Sequence, residues 1–215
     1  VLTTCAGGFM GRNKNEPFFL YLSYYTVHGP ITGKPDYVKK YEQKLADNPA
    51  ADYYMNNTGK AAMIQSLDES VGRVVAKLKE IDQLDNTLII FTGDNGSQGD
   101  EFVPNFRGNK GTAYEGGTRV PLIVAGPSIQ TGICDVPTIG MDLYPTILSY
   151  IKAPLKPKEH LDGVDITSLL TGIGAIKVRP LYWHYPHYDE TTPYSSAIVD
   201  GWKVIRYADD GKVEL

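Results

Sequence analysis

Three observations predict an α/β fold, a mostly parallel sheet flanked by helices, with a small antiparallel sheet at the carboxy terminus. Two short, nearly continuous apolar runs, Pro17-Phe18-Phe19-Leu20-Tyr21-Leu22-Ser23-Tyr24 and Thr87-Leu88-Ile89-Ile90-Phe91-Thr92, have the composition of strands buried on both faces. Between them, Ile64, Leu67, Val71, Val74, Val75, Leu78 and Ile81 recur at helical steps, which places one apolar stripe along a helix of about five turns, suited to covering a sheet face. Beyond residue 175 the pattern changes to short alternating segments punctuated by turn residues, as in an antiparallel meander.

In chain order, the first apolar run leads directly into a loop at His28-Gly29-Pro30. Residues 33–57, rich in Lys, Tyr, Pro, Asp and Asn, predict a long surface excursion with one short helix. The amphipathic helix and the strand at 87–92 follow, and strand, helix, strand implies a right-handed parallel crossover. That strand ends in Gly93-Asp94-Asn95-Gly96, and a Gly- and Asn-rich loop runs on to Thr118. Val120-Pro121-Leu122-Ile123-Val124-Ala125-Gly126 is a third strand with proline near its start, and Met141 to Ile151 is helical in pattern. Leu181 to His184, Ser196 to Val199 and Trp202 to Tyr207 form the meander, the last two joined by Asp200-Gly201. The expected division is an α/β part over 1–175 and an antiparallel subdomain over 176–215.

Composition removes several classes of function. With 215 residues, 42% of them hydrophobic, the chain is long enough for one substantial core, as one domain or a domain with an appendage. A net charge of -4 and scattered lysines and arginines provide no basic stripe, so nucleic acid is not an expected partner. No apolar run approaches the roughly 18 residues that a membrane span needs, and Val1 to Met10 lack the segments of a signal peptide. Cys5 and Cys134 lack the paired spacing of a zinc site or a disulfide framework. The chain starts at Val1 and stops just after the turn signal Asp209-Asp210-Gly211, where a further hairpin strand should begin. Both ends read as cuts, with an amino-terminal half of the same protein expected elsewhere.

In open α/β sheets ligands gather beyond the carboxyl ends of parallel strands, where two predicted strands deliver His28 and the pair Asp94-Asn95. A carboxylate and an amide carbonyl in a Gly-flanked turn are hard oxygen ligands for Ca²⁺ or Mg²⁺; the same residues also make plain Asx turns. Lys110 sits in a stretch with close-set glycines and is either an oxyanion-holding point charge or a solvated loop cation. His28 is either a proton donor or a structural, hydrogen-bonded imidazole. Trp183-His184-Tyr185-Pro186-His187-Tyr188 places two histidines among aromatics, either as a wall for a ring-shaped leaving group or as core with capping histidines.

Taken together, the order of these segments resembles the type I, formylglycine-dependent sulfatases of the alkaline phosphatase superfamily, over nearly the whole chain. The residues that carry the likeness are Pro17 to Leu22 leading to His28-Gly29-Pro30, Asp68 with Val71-Gly72-Arg73, Asn86 to Gly96, Lys110 to Pro121, Met141-Asp142-Leu143-Tyr144-Pro145-Thr146 and Leu161-Asp162-Gly163-Val164. The resemblance implies that Asp94 and Asn95 are metal ligands for Ca²⁺ or Mg²⁺, that Lys110 binds sulfate, and that His28 meets the sulfate and leaving-group oxygen; His184 and His187 are substrate-binding candidates from their aromatic setting alone. It implies hydrolysis of a sulfate ester on a carbohydrate or aryl group, in an exported parent where polysaccharide is the substrate. The family's nucleophile is a formylglycine from a C-x-P-S-R-like motif, which neither cysteine here matches. The paired upstream aspartates and a K-x-H segment are absent as well. Expected, therefore, is an inactive fragment of a sulfuric-ester hydrolase. A phosphate or phosphonate ester hydrolase of the same superfamily, or a non-catalytic anion-binding module, are the alternatives.

Overall fold

The structure, a computed structural model, describes residues 1–49, 57–98, 106–189 and 191–215, and the chain divides into two compact units, Val1–Thr87 and Leu88–Leu215. The subdomain boundary expected after residue 175 falls inside the second unit.

The first unit is built on helices. α1 (Leu2–Arg12) forms despite its three glycines because Thr3, Ala6 and Met10, spaced about one turn apart, are buried together. α2 (Pro35–Asp47) starts with proline in its first turn, where the missing N–H costs nothing. α3 (Thr58–Glu80) is capped by Asn57, whose Oδ1 accepts the Lys60 amide at 2.9 Å. The stripe predicted for this helix is present, with Leu78 fully buried, but Ile64 at its start is exposed. Its partners in this unit are α1 and α2 and not a sheet. Tyr37 donates to Glu69 Oε2 at 2.7 Å and Lys40 to Gln65 Oε1 at 2.9 Å, holding α2 to α3.

Residues 18–24 are extended but carry no ladder among the described residues. Phe18, Leu20, Leu22 and Tyr24 are half-buried, whereas Phe19 and Tyr21 are exposed at 70% and 81%. Burial here is one-sided, where the apolar run predicts two buried faces. Among the described residues the parallel crossover is likewise not formed: β1 (Ile89–Thr92) pairs there with β2 (Leu122–Ala125), antiparallel, with Ile89 opposite Ala125 and Thr92 opposite Leu122. Apolar composition determines that a segment is extended; it does not choose the edge or direction of its partner.

The rest of the second unit comprises α4 (Glu115–Thr118), α5 (Leu143–Tyr150), α6 (Thr167–Thr171) and a four-stranded antiparallel meander of β3 (Leu181–Tyr185), β4 (Tyr194–Val199), β5 (Trp202–Tyr207) and β6 (Val213–Glu214), in that order. The β4–β5 hairpin turns at Asp200 and Gly201, with φ of 48° and 80°, the pair of positive values that matches the twist of a two-residue hairpin. Asp142, wholly buried, ties the helical part together. Its carboxylate receives both Arg179 Nη2 contacts, at 2.6 and 2.5 Å, and the amides of Ile139 and Val164, each at 2.9 Å.

Candidate functional site

Thr92 ends β1, and the chain turns at once through Gly93-Asp94-Asn95-Gly96. Asp94 Oδ1 accepts the Asn95 amide at 2.9 Å, and Asn95 Nδ2 donates to the Gly96 carbonyl at 2.9 Å. The turn uses Asp94 Oδ1, the Asn95 backbone N–H and one Nδ2 hydrogen, while among the described residues Asp94 Oδ2 and Asn95 Oδ1 accept no hydrogen bond, so an Asx turn does not preclude ligation.

The loop carrying Lys110 is laid directly against this turn. Lys110 N donates to Ser97 O at 2.7 Å, Gly96 N to Gly117 O at 3.0 Å, and Gly116 N to Arg107 O at 2.8 Å. Glycine is required for this approach. A Cβ on Gly96 would lie 1.7 Å from the Gly116 carbonyl oxygen, and one on Gly116 would lie 1.9 Å from that of Gly108. These glycines serve backbone-to-backbone packing, a use that the sequence pattern leaves open beside close approach to an anion. Lys110 itself is half-buried, and among the described residues its ammonium has no hydrogen bond or ion pair. Three sequence-predicted residues, Asp94, Asn95 and Lys110, are thus knit into one corner of the second unit.

His28 belongs to the first unit. Its Nδ1 lies 2.9 Å from the Gly29 carbonyl oxygen, and its ring is 5.3 Å from that of Tyr25. A carbonyl oxygen only accepts, so Nδ1 carries the hydrogen, and Nε2 is left to accept or, once protonated, to donate.

The two carboxy-terminal histidines separate. Side chains alternate across a strand: Trp183 faces the side on which Lys203 lies 5.8 Å from its ring, and His184 takes the opposite, exposed face, with Nδ1 2.9 Å from Ser195 Oγ. His184 therefore points away from the face that meets the Lys110 loop. His187, past the end of β3, sets its ring edge-on to Tyr185 at 5.2 Å, and Tyr185 stacks on Tyr194 at 5.4 Å. Of the pair, His187 is on the aromatic side of the sheet.

Sequence reasoning missed the groups that hold the Lys110 loop from behind. Tyr114 Oη donates to Glu214 Oε2 at 2.6 Å and is 3.0 Å from Tyr207 Oη, while the Arg107 guanidinium sits 3.8 Å over the Tyr114 ring. Burial first, and then the bond to Glu214, push the Tyr114 hydroxyl well above the ordinary phenolic range, so it stays a donor. Lys203 ion-pairs with Glu115 at 2.6 Å. A signal for it exists in the sequence: by strand alternation Lys203 shares a face with Ile205 and Tyr207, and a cation on an apolar face calls for a buried partner.

A family model described as Sulfatase matches residues 1–153. The chain belongs to the sulfatase family. It is similar to a sulfatase of Formosa agariphila, 32% identical over 215 residues that cover 90% of this chain and 37% of that protein. Steryl-sulfatase of Homo sapiens is 31% identical over 196 residues, 86% of this chain and 31% of that one. Among solved structures, Ps i-CgsB in complex with k-i-k-neocarrahexaose matches with a TM-score of 0.78 at 26% identity, over 99% of this chain and 46% of that chain. The chain spans about a third of the length of these curated relatives. Because the structural match extends past residue 153, the meander is part of the shared fold. The α/β, alkaline phosphatase-like class with a small antiparallel sheet at the carboxy terminus is that of this sulfatase chain.

Membership of the sulfatase family implies a metal in general. The donor set fits a hard cation: two oxygen atoms, no thiolate and no imidazole in the turn. It also falls well short of the six to eight oxygens such ions take, and among the described residues no group of three or more His, Cys, Asp or Glu is arranged to hold a metal. No helix of the described residues is long and apolar enough to cross a membrane.

Proposed function

We propose that this chain supplies the sulfate-holding lysine and part of the cation site of a sulfuric-ester hydrolase acting on a sulfated carbohydrate or aryl sulfate. One observation supports the reading: the backbone bonds from Lys110 to Ser97 and from Gly96 to Gly117, which lay the Lys110 loop along the Asp94–Asn95 turn. Ca²⁺ or Mg²⁺, held by Asp94 Oδ2 and Asn95 Oδ1 with further ligands from an amino-terminal segment, would neutralise charge on the sulfuryl oxygens. Lys110 places its positive charge on those same oxygens, where the half-buried setting strengthens the attraction over that in water. His28, with Nδ1 spent on the Gly29 carbonyl, is assigned through Nε2 to the leaving-group oxygen, protonating it as its charge grows. His187, on the aromatic side of the meander, is the favoured candidate of the two carboxy-terminal histidines for contact with a ring-shaped leaving group.

A formylglycine nucleophile would come from outside this chain, because Cys5 lies in α1, within Thr4-Cys5-Ala6-Gly7-Gly8, and Cys134 also lacks the required motif. The chain by itself is expected to hydrolyse no sulfate ester. In the protein containing both this chain and the nucleophile segment, Lys110→Ala should lower kcat for aryl sulfate by roughly 10²- to 10³-fold, the scale for losing one preorganised charge-stabilising donor. Sulfate release at an unchanged rate would overturn the assignment.

A further inference from the structure

We propose that Lys203, on β5 of the carboxy-terminal meander, is the positioning residue that sets the Lys110 loop against the Asp94–Asn95 turn. The proposal rests on the reading of Lys110 as the sulfate-holding group and adds the element that fixes its place.

An ammonium has three hydrogens, and Lys203 Nζ meets three acceptors, all on the segment that follows Lys110. It donates to Ala113 O at 2.8 Å and to Thr118 Oγ1 at 3.2 Å, and pairs with Glu115 Oε1 at 2.6 Å. The side chain is only 16% exposed, so its charge is shielded from water and its geometry is constrained by all three partners. These acceptors bracket α4, the short helix that carries Gly116 and Gly117. Both glycines are buried, and their backbones are the surfaces against which Gly96, Gly108 and the Asn109–Thr112 turn are packed. A cation on β5 is therefore connected to Lys110 through atoms in direct contact: Lys203 to α4, α4 to the glycine junction, and the junction to the two backbone bonds that align Lys110 with the Asp94–Asn95 turn.

The helix alone is too short to hold this arrangement. It has four residues, no side-chain cap, and consecutive glycines at its centre, each of which lowers helix stability. Arg119 at its carboxy-terminal cap reaches back to Glu115 only at 3.7 Å and is itself exposed; Lys203 is the clamp from another element that contacts both ends. The second hold, Arg107 on Tyr114 with Tyr114 on Glu214, fixes the other shoulder of the loop. Position 110 is thus held from two sides, by the backbone bonds to the segment that follows β1 and by the antiparallel subdomain behind it.

The test uses the intact protein containing this chain, with inorganic sulfate as a competitive probe. Lys203→Met keeps the aliphatic stem and removes the charge. It should raise the inhibition constant for sulfate and lower kcat by roughly 10- to 100-fold, the range for misplacing a reacting group. It should also accelerate amide exchange at Lys110, Gly116 and Gly117 while leaving Leu181 and Ser195 of the meander, whose amides lie in its ladder, protected. Lys203→Arg should recover part of the sulfate affinity. If Lys203→Met proves unfolded, Glu115→Gln, which removes the ion pair to Lys203 together with the longer, exposed one to Arg119 at 3.7 Å, should shift the same readouts in the same direction by a smaller factor, and Arg119→Gln should not. Sulfate affinity and local exchange unchanged in Lys203→Met or Glu115→Gln, with Lys110→Ala weakening sulfate, would overturn the positioning role and leave Lys110 standing. Lys110→Ala without effect on sulfate would overturn the reading of Lys110 and this role with it.

Discussion

Asp142→Ala tests the strongest physical statement that the second unit makes about itself. The carboxylate is fully buried and accepts two contacts from Arg179 and one hydrogen bond each from the Ile139 and Val164 amides. Alanine would leave a guanidinium, itself 19% exposed, without its counter-charge, and two backbone donors without acceptors. Breaking a buried pair from one side costs about 3–5 kcal/mol, and the orphaned amides act in the same direction. In a chain of 215 residues each kcal/mol moves Tm by about 2–4 °C, so differential scanning calorimetry should show a fall of about 6–20 °C. Arg179→Met introduced into the Asp142→Ala background should cost little more, because the charge left stranded by the first change is then gone. A double-mutant cycle should accordingly give a coupling energy of about 2 kcal/mol or more. A single Asp142→Ala variant within about 0.5 kcal/mol of the wild type, the range of ordinary surface substitutions, would refute the reasoning, as would two effects that simply add.

Gly96→Ala would drive a methyl group to 1.7 Å from the Gly116 carbonyl, so the turn and the loop must separate, at a cost of at least about 1–3 kcal/mol; Gly140→Ala, with nothing within 4 Å of the added carbon, should leave the melting temperature nearly unchanged. Equal effects from the two would show that the close backbone approach is not what selects glycine. The Glu214 carboxyl is held below its ordinary range, first by the hydrogen bond from Lys212 and then by that from Tyr114. A depressed carboxylate stabilises the fold above its unfolded pKa and loses that contribution as the pH falls through the folded value. β6 should therefore loosen on acidification below the ordinary carboxylate range, read as faster exchange of the Tyr207 amide, which donates to the Lys212 carbonyl at 2.9 Å, relative to Ser195 after correction for intrinsic rates. Glu214→Gln should abolish this pH dependence; if the wild type shows none either, the carboxylate is not what docks β6.

The candidate site was legible where chemistry and local chain geometry coincide. Asp94 and Asn95 follow directly on an apolar strand and sit between glycines, and Lys110 lies in a Gly-rich stretch, so residue type and neighbours were enough to single them out. His184 and His187 were singled out by the same reasoning, but β-strand alternation turned His184 onto the face away from the Lys110 loop. Lys203 was passed over because a lone lysine in a strand is usually exposed; its place among Ile205 and Tyr207 on one face was the available clue. In the fold, the long helix, the α5 segment and the meander with its Asp200-Gly201 turn were legible, since each is written in local periodicity or turn chemistry. α1 was not, because three glycines hide a stripe that only burial makes helical.

By itself the sequence determined the long helix, the α5 segment, the strands of the meander and the turn between β4 and β5, and that its text belongs with the sulfatases. These are properties of residue type at short spacing, set by backbone sterics and by the periods of 3.6 and 2. Only the tertiary structure decided that β1 pairs antiparallel with β2, that residues 18–24 are covered on one side, and that the Lys110 loop is held from behind by Lys203 and Glu214. Those outcomes depend on partners far along the chain, close to 100 residues away in the case of Tyr114 and Glu214. An alternating pattern says only that a strand has an inner face; which loop will lie against that face is settled when the chain packs.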